Sequence, residues 1–152
     1  MPDILHRRLE IDTSRERVYD ALTHAEGIRG WWTRDAELDA RVGGIGEFRF
    51  YQRERLTRVR VDALDAPARV AWTVLDSFMP GWPDTRIRFD LEPAGSGCIL
   101  AFAHRGFAHE NEWFARVTTG WAYFLVSLKR FVECGRGAPS PEVVDFARML
   151  EP

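Results

Sequence analysis

Histidine, aspartate and cysteine are the side chains through which this 152-residue chain could do chemistry, and their spacing narrows what that chemistry is. His104 ends the run Cys98-Ile99-Leu100-Ala101-Phe102-Ala103-His104. With a two-residue period it shares a face with Leu100 and Phe102, so it points inward at the end of a strand. An imidazole there could anchor a polar group or transfer a proton, and a hydrogen bond to backbone is the plainer alternative. Asp76 follows Val70, Trp72 and Val74 with the same parity. Pairing Leu91 with Leu100 and Val74 with Ile87 sets Asp76 about 10–12 Å from His104, a gap that a ligand or a water could bridge. His104 and Asp76 are therefore the two acid–base candidates. Cys98 lies on the same strand as His104 but about 20 Å away, which excludes a thiol–imidazole pair. Cys134 falls at a helix C-terminus, where the dipole disfavours a thiolate. His109-Glu110-Asn111-Glu112-Trp113 lacks the HExxH spacing, so neither a metal nor a cofactor is expected.

The elements that must position these groups are legible from periodicity. Leu5, Arg7, Leu9 and Ile11 alternate with polar residues as a first strand. Thr13-Ser14-Arg15-Glu16 reads as a capping box opening a helix with Val18, Ala21 and Leu22 on one face. Gly27 is expected to break that helix, and a short second one carries Ile28, Trp31 and Trp32. Val42-Gly43-Gly44-Ile45-Gly46 is a bend into the strand Glu47–Tyr51 rather than a phosphate loop, because no helix follows it. Alternating runs at 57–62, 70–75, 85–91 and 98–104 give further strands, with short turns that make neighbours antiparallel. A long helix from about Glu110 to Cys134 carries Trp113, Val117, Trp121, Phe124, Leu128 and Phe131 at steps of three and four. Pro139, Ser140 and Pro141 introduce a tail in which Val144, Phe146 and Leu150 suggest a short helix. Residues 1–137 form one domain and 138–152 a C-terminal tail.

Composition sets the outer bounds. Apolar residues make up 45% of the chain and charged residues 29%, with a formal net charge of −2. That is an ordinary globular balance with no bulk attraction for nucleic acid. Lys129 is the only lysine, and the scattered arginines are interleaved with acids, as coding bias in a GC-rich bacterium would give. The first residues are charged throughout and no run approaches the roughly 20 apolar residues of a spanning helix, so a cytoplasmic location without a membrane span is expected.

The order is strand, two short helices, several antiparallel strands, then a long helix. A sheet with one polar face must cover the other, and the long helix has the widest apolar stripe. The pattern Ile11-Asp12-Thr13-Ser14 with Arg17-Val18-Tyr19-Asp20-Ala21-Leu22, then Glu26-Gly27-Ile28 and Trp31-Trp32, resembles the opening of the START-like (SRPBCC) superfamily. The nearer likeness is to the branch related to the C-terminal domain of the heat-shock-protein-90 ATPase activator. Val42-Gly43-Gly44 with Phe48-Arg49-Phe50, Arg88–Pro93, His104-Arg105-Gly106-Phe107 and Gly120–Leu125 are similar to that branch's later segments, so the resemblance spans roughly residues 3 to 134. It implies an α+β helix-grip (START/Bet v-like) fold: a curved antiparallel sheet of six to seven strands around the long C-terminal helix, with an apolar cavity between them.

That cavity would be lined from the strands by Phe48, Phe50, Trp72, Val74, Phe89 and Phe102. The long helix would add Trp113, Val117, Trp121 and Phe124, with Trp32 and His104 completing the wall. The same rings serve equally as core packing. Phe78, Met79 and Trp82, in a loop rich in large apolar residues, would sit at its mouth. Three functions compete. The first is binding of a hydrophobic small molecule such as a lipid or polyketide. The second is a polyketide cyclase- or dehydratase-like enzyme using His104 and Asp76. The third is a protein-interaction or chaperone-associated module, although the activator's separate N-terminal domain has no counterpart in these residues. The sequence offers no paired catalytic carboxylates and no nucleophile beside a base, which weighs against the enzyme. A homodimer or a protein partner is compatible with each reading.

Overall fold

The computed structural model describes residues 2–50 and 55–141. Seven strands form one antiparallel sheet: β1 (Ile4–Ile11), β2 (Asp35–Leu38), β3 (Ile45–Phe50), β4 (Arg55–Asp65), β5 (Arg69–Ser77), β6 (Arg86–Ala94) and β7 (Gly97–Arg105). Their spatial order is β1-β7-β6-β5-β4-β3-β2. Helices α1 (Arg15–Thr23) and α2 (Ala25–Trp31) follow β1, and α3 (Glu112–Cys134) closes the fold. This is the expected α+β helix-grip order. Val70, Trp72, Val74, Phe89, Phe102 and Leu100 are buried on the helix side of the sheet. The opposite face carries paired charges, among them Arg60–Asp62 at 2.9 Å and Arg69–Asp90 at 2.8 Å. Exposed pairs of this kind add solubility more than stability.

Several boundaries differ from the sequence reading, each for a local reason. In β1, His6 pairs with Phe102 but Leu9 pairs with Leu100, so one extra residue bulges at Arg7-Arg8. The bulge changes parity. Ile4 and His6 therefore share the inner face with Leu9 and Ile11, while both arginines reach water. The α1 cap is Ser14, whose hydroxyl accepts from Arg17 N at 3.3 Å. Glu16 is thus one position too early to complete a capping box and instead faces the positive helix end. The break between α1 and α2 falls at His24, which is extended at φ −116° and ψ 140°, and Gly27 lies inside α2.

Gly27 and Gly30 allow close packing rather than a break. A Cβ on Gly27 would lie 2.5 Å from Ala21 Cα, and one on Gly30 would run into the Phe131 ring. The missing side chains let α2 wedge between α1 and α3. β2 has no counterpart in the sequence reading, because four residues, Asp35–Leu38, are too few to show a period. The glycine-rich segment is the β2–β3 hairpin turn, where Gly43 has φ +85°. Helix α3 begins on the Asn111 cap and ends at Gly135, whose φ is 80°.

The chain beyond α3 folds back over α2. Ser140 N donates to Trp32 O at 2.8 Å, Arg34 N donates to Ser140 O at 3.0 Å, and Ala138 N donates to the Ser127 hydroxyl. Packing against the domain therefore continues through Ser140, past the expected boundary at 137. The proposed tail helix through Val144, Phe146 and Leu150 lies outside the described residues, as does Tyr51.

Candidate functional site

The space between sheet and helices is filled by rings. Trp32 leaves the end of α2, which is anchored by Trp31 Nε1 donating to Ala21 O at 3.0 Å. Its indole meets Phe48 at 4.8 Å, Phe50 at 5.6 Å, Trp72 at 6.1 Å and Trp121 at 5.2 Å between centroids. Trp121 packs on Phe102 at 4.5 Å, and Phe89 joins Trp72 to Phe102. Seven of the expected wall residues thus meet in one aromatic cluster. Val74 and Val117 are buried in the same core.

Trp113 lies outside this core, and Phe124 packs only partly buried against its edge. The buried stripe of α3 runs Val117, Trp121, Leu125, Leu128 and Val132. Phe124 sits about 100° around the helix from Leu125, half-buried, with its ring edge-on to Tyr123. Trp113 is 43% exposed in the first turn, under the Arg116 guanidinium at 5.2 Å. Leu125, Trp31 and Phe107 are among the buried residues that the expected wall did not include, although Trp31 was read as part of the second helix. Leu125 was hidden by an apolar run, Trp121–Val126, that fits more than one helical stripe.

The segment 78–84 covers one end of the cluster. Trp82 is only 6% exposed. Its indole lies nearly parallel to Trp121 at 6.0 Å and edge-on to His104 at 4.7 Å. Phe78 packs on Phe50 at 5.7 Å, and Met79 is half-buried against the core. Gly81 and Asp84 flank the tryptophan with φ of 83° and 69°, left-handed values that turn the loop inward.

His104 is fully buried and both of its ring nitrogens are committed. Trp121 Nε1 donates to Nδ1 at 3.1 Å, and an indole can only donate, so Nδ1 carries no proton. The proton sits on Nε2 and is donated to the Thr85 hydroxyl at 2.7 Å. That hydroxyl in turn donates to Trp82 O at 2.5 Å. The chain of bonds fixes one neutral tautomer, and burial pushes the imidazole pKa down to about 3. Asp76 does not join it. Arg58 pairs with Asp76 and Val59 with Val74, so Leu75 bulges and Asp76 leaves the inward parity. It is exposed and accepts from Ser77 N at 2.9 Å. Trp72, not Val74, faces Ile87, two residues off the expected register, because the 78–84 segment takes up the difference.

Two interior donors have no acceptor. The indole N–H groups of Trp72 and Trp82 are both buried without a hydrogen-bond partner. Burial raises the Cys98 thiol pKa, which makes it a poor nucleophile. Among the described residues no group of three His, Cys, Asp or Glu side chains is placed to hold a metal ion. No described helix is long and apolar enough to cross a membrane. A separate groove of about 390 Å³, lined by polar and apolar groups in about equal measure, lies on the surface between the ends of β1 and β7, beside Lys129.

Known proteins show where this architecture recurs. Residues 12–133 match the family model described as Activator of Hsp90 ATPase homolog 1-like protein. The Aha1 dimer from Colwellia psychrerythraea is 33% identical over 90% of this chain and 100% of its own, with a TM-score of 0.80. A Staphylococcus saprophyticus protein, 20% identical over 90% of this chain and 95% of its own, superposes with a TM-score of 0.74. A Mesorhizobium loti protein, 18% identical over 87% of this chain and 97% of its own, gives 0.76. The last two show shared fold alone. Comparison with curated proteins gives no significant match. The model match over most of the chain, together with the Colwellia relative, shows that the chain belongs to the Activator of Hsp90 ATPase homolog 1-like family of the START-like (SRPBCC) superfamily.

Proposed function

We propose that this protein binds a hydrophobic small molecule inside the grip, with the 78–84 segment as the cover over the site. The observation that carries the reading is the form of closure. An interior of tryptophan and phenylalanine rings is bounded by strands and helices on most sides, and on one side by a loop that contributes Trp82. Regular elements hold their side chains rigidly, whereas a loop can yield and re-form. An aromatic interior offers large, non-directional burial to an apolar guest.

The acid–base alternative has less support. His104 has no free lone pair and no free proton without breaking its bonds to Trp121 and Thr85, and Asp76 faces water. Native mass spectrometry of the purified chain, followed by organic extraction, tests the binding reading. A co-purifying apolar molecule, or thermal stabilisation by members of an apolar panel, supports it. An empty protein that no panel member stabilises overturns it.

We also infer that two copies pair, supported by the Colwellia relative, which is a dimer at 33% identity. Light scattering behind size exclusion should give twice the chain mass at micromolar concentration. A single-chain mass there overturns this second inference.

A further inference from the structure

The polar groups of the interior define what kind of guest it suits. His104, Ile87 and Trp72 form one row across β7, β6 and β5, His104 pairing with Ile87 and Ile87 with Trp72. The row spans two strand spacings, about 10 Å. Trp82 stands over the His104 end, edge-on at 4.7 Å. Trp72 forms the other end and lies nearly parallel to Trp32, at an interplanar angle of 11°. The two unpartnered indole N–H groups thus belong to the two ends of one row, each on a ring that lies nearly parallel to another indole, Trp72 to Trp32 and Trp82 to Trp121.

The other polar groups facing this row are already used. The Thr85 hydroxyl and both His104 nitrogens are spent on each other, on Trp82 O and on Trp121. Thr57, buried one strand further on, is bonded to Ser77. The remaining buried group without a partner, Arg49 Nη1, belongs to a residue between Phe48 and Phe50 on β3, whose parity sends it to the opposite face of the sheet. Among the described residues, the fully buried ones include no lysine, arginine, aspartate or glutamate.

A buried donor without an acceptor is costly, and a ligand oxygen removes that cost. A buried carboxylate or ammonium without a countercharge is costlier still. An interior whose uncommitted polar atoms are all donors, and which holds no charge, selects acceptors that are neutral. We propose that the guest is an uncharged, planar fused-ring molecule bearing carbonyl or ether oxygens, hydrogen-bonded by Trp72 Nε1 and Trp82 Nε1. Free fatty acids and amines are disfavoured. This rests on the binding reading above and names its ligand class.

Three probes on one tricyclic frame separate the contributions: 9-fluorenone with a carbonyl, fluorene without one, and 9-fluorenone-2-carboxylate with a charge. Equilibrium dialysis at neutral pH with the full chain measures each. Fluorenone should bind tighter than fluorene by roughly 2- to 10-fold, the worth of a neutral hydrogen bond. W72F and W82F should each narrow the fluorenone-to-fluorene affinity ratio, whatever the lost ring area does to both ligands together, and the carboxylate should bind about tenfold or more weakly. Two of the six indole N–H resonances should also move when fluorenone is added to the unaltered protein, a readout that needs no variant. If fluorene and fluorenone bind equally, and neither variant nor resonance distinguishes them, the donor assignment is overturned while the binding reading stands. Tighter binding of the carboxylate than of fluorenone also overturns it. If none of the three binds and extraction yields nothing, the binding reading and the ligand class fall together.

Discussion

Acidification should destabilise this protein well before its carboxylates titrate, and His104 is the reason. Its Nδ1 accepts from Trp121 and its Nε2–H donates to Thr85. A second proton would set an N–H against the indole N–H in a site closed to water. Burial therefore holds the native pKa near 3, against 6.5 for a free imidazole. The unfolded chain takes up the proton as pH falls through 6.5, and the native state refuses it until about 3. Stability from this group is thus complete above pH 6.5 and is lost progressively between 6.5 and 3.

Each pH unit in that window costs about 1.4 kcal/mol, so going from pH 7.5 to 5 removes about 2 kcal/mol. Any native pKa below about 4.5 gives the same result at pH 5. Two carboxylates act lower. Burial alone would raise Asp90 and Glu133. Hydrogen bonds and charge from Arg88 and Arg69 outweigh it at Asp90, and a hydrogen bond from Asp12 N together with the bond and charge of Lys129 outweighs it at Glu133. Both are held below their ordinary values of 3.8 and 4.5, so their stabilisation is lost only below that range. The interval from pH 6.5 to 5 isolates the histidine. Urea unfolding at several pH values, on the natural chain and on H104Q, reads the slope. A natural chain whose stability is flat between pH 6.5 and 5, or an H104Q variant with the same slope, would refute the reasoning.

The same contacts make other substitutions informative. T85V should cost about 1–3 kcal/mol in urea unfolding, because it leaves the His104 Nε2–H without an acceptor. Hydrogen exchange of the 79–84 amides should rise with it, since Trp82 O loses one of its two donors. G27A should lower stability by roughly 1–3 kcal/mol despite alanine's better helix propensity, because its Cβ meets Ala21 backbone. G120A, with nothing within 4 Å of its Cβ, should raise it by up to about 1 kcal/mol, so thermal melts of the pair should move in opposite directions. W121F should destabilise more than W72F, by about 1–3 kcal/mol in urea. Both lose the same part of a ring, but the first leaves His104 Nδ1 without its donor and the second removes a donor that had no acceptor.

How much of the molecule was legible in the sequence depended on scale. The order of elements and the aromatic character of the interior come from periods of two and three to four, which are written in residue types over long runs. Leu91 opposite Leu100 was readable because the Gly95–Gly97 turn fixes that hairpin. Single-residue shifts escaped. One extra residue at Arg7-Arg8 and one at Leu75 reverse inside and outside for the remainder of their strands, and neither leaves a mark in composition. The second of these decided the chemistry, because it turned Asp76 away from His104. The inward direction of His104 was readable from parity. Its neutralisation was not, because the groups that commit its nitrogens, Thr85 and Trp121, lie 19 and 17 residues away and meet it only once the sheet and helix are assembled.

The way the loop is fastened bears on how a guest would be held. Thr85 grips Trp82 through the carbonyl, with both its hydroxyl and its amide, while the indole N–H is bonded to nothing. The ring can therefore swing without breaking the chain of bonds that runs through His104 to α3. The resistance to swinging is apolar. Exposing an indole that covers about 200 Å² costs on the order of 5 kcal/mol at 25 cal/mol per Å². A guest that held Trp82 out permanently would start at a deficit of roughly three to four powers of ten in affinity. A guest that passes the loop and lets it close recovers that burial and gains the indole N–H as well. On the binding reading, Trp82 is therefore a wall of the occupied site rather than a plug that the ligand replaces, which is why W82F, which deletes the N–H and keeps an aromatic ring in the wall, is the informative substitution.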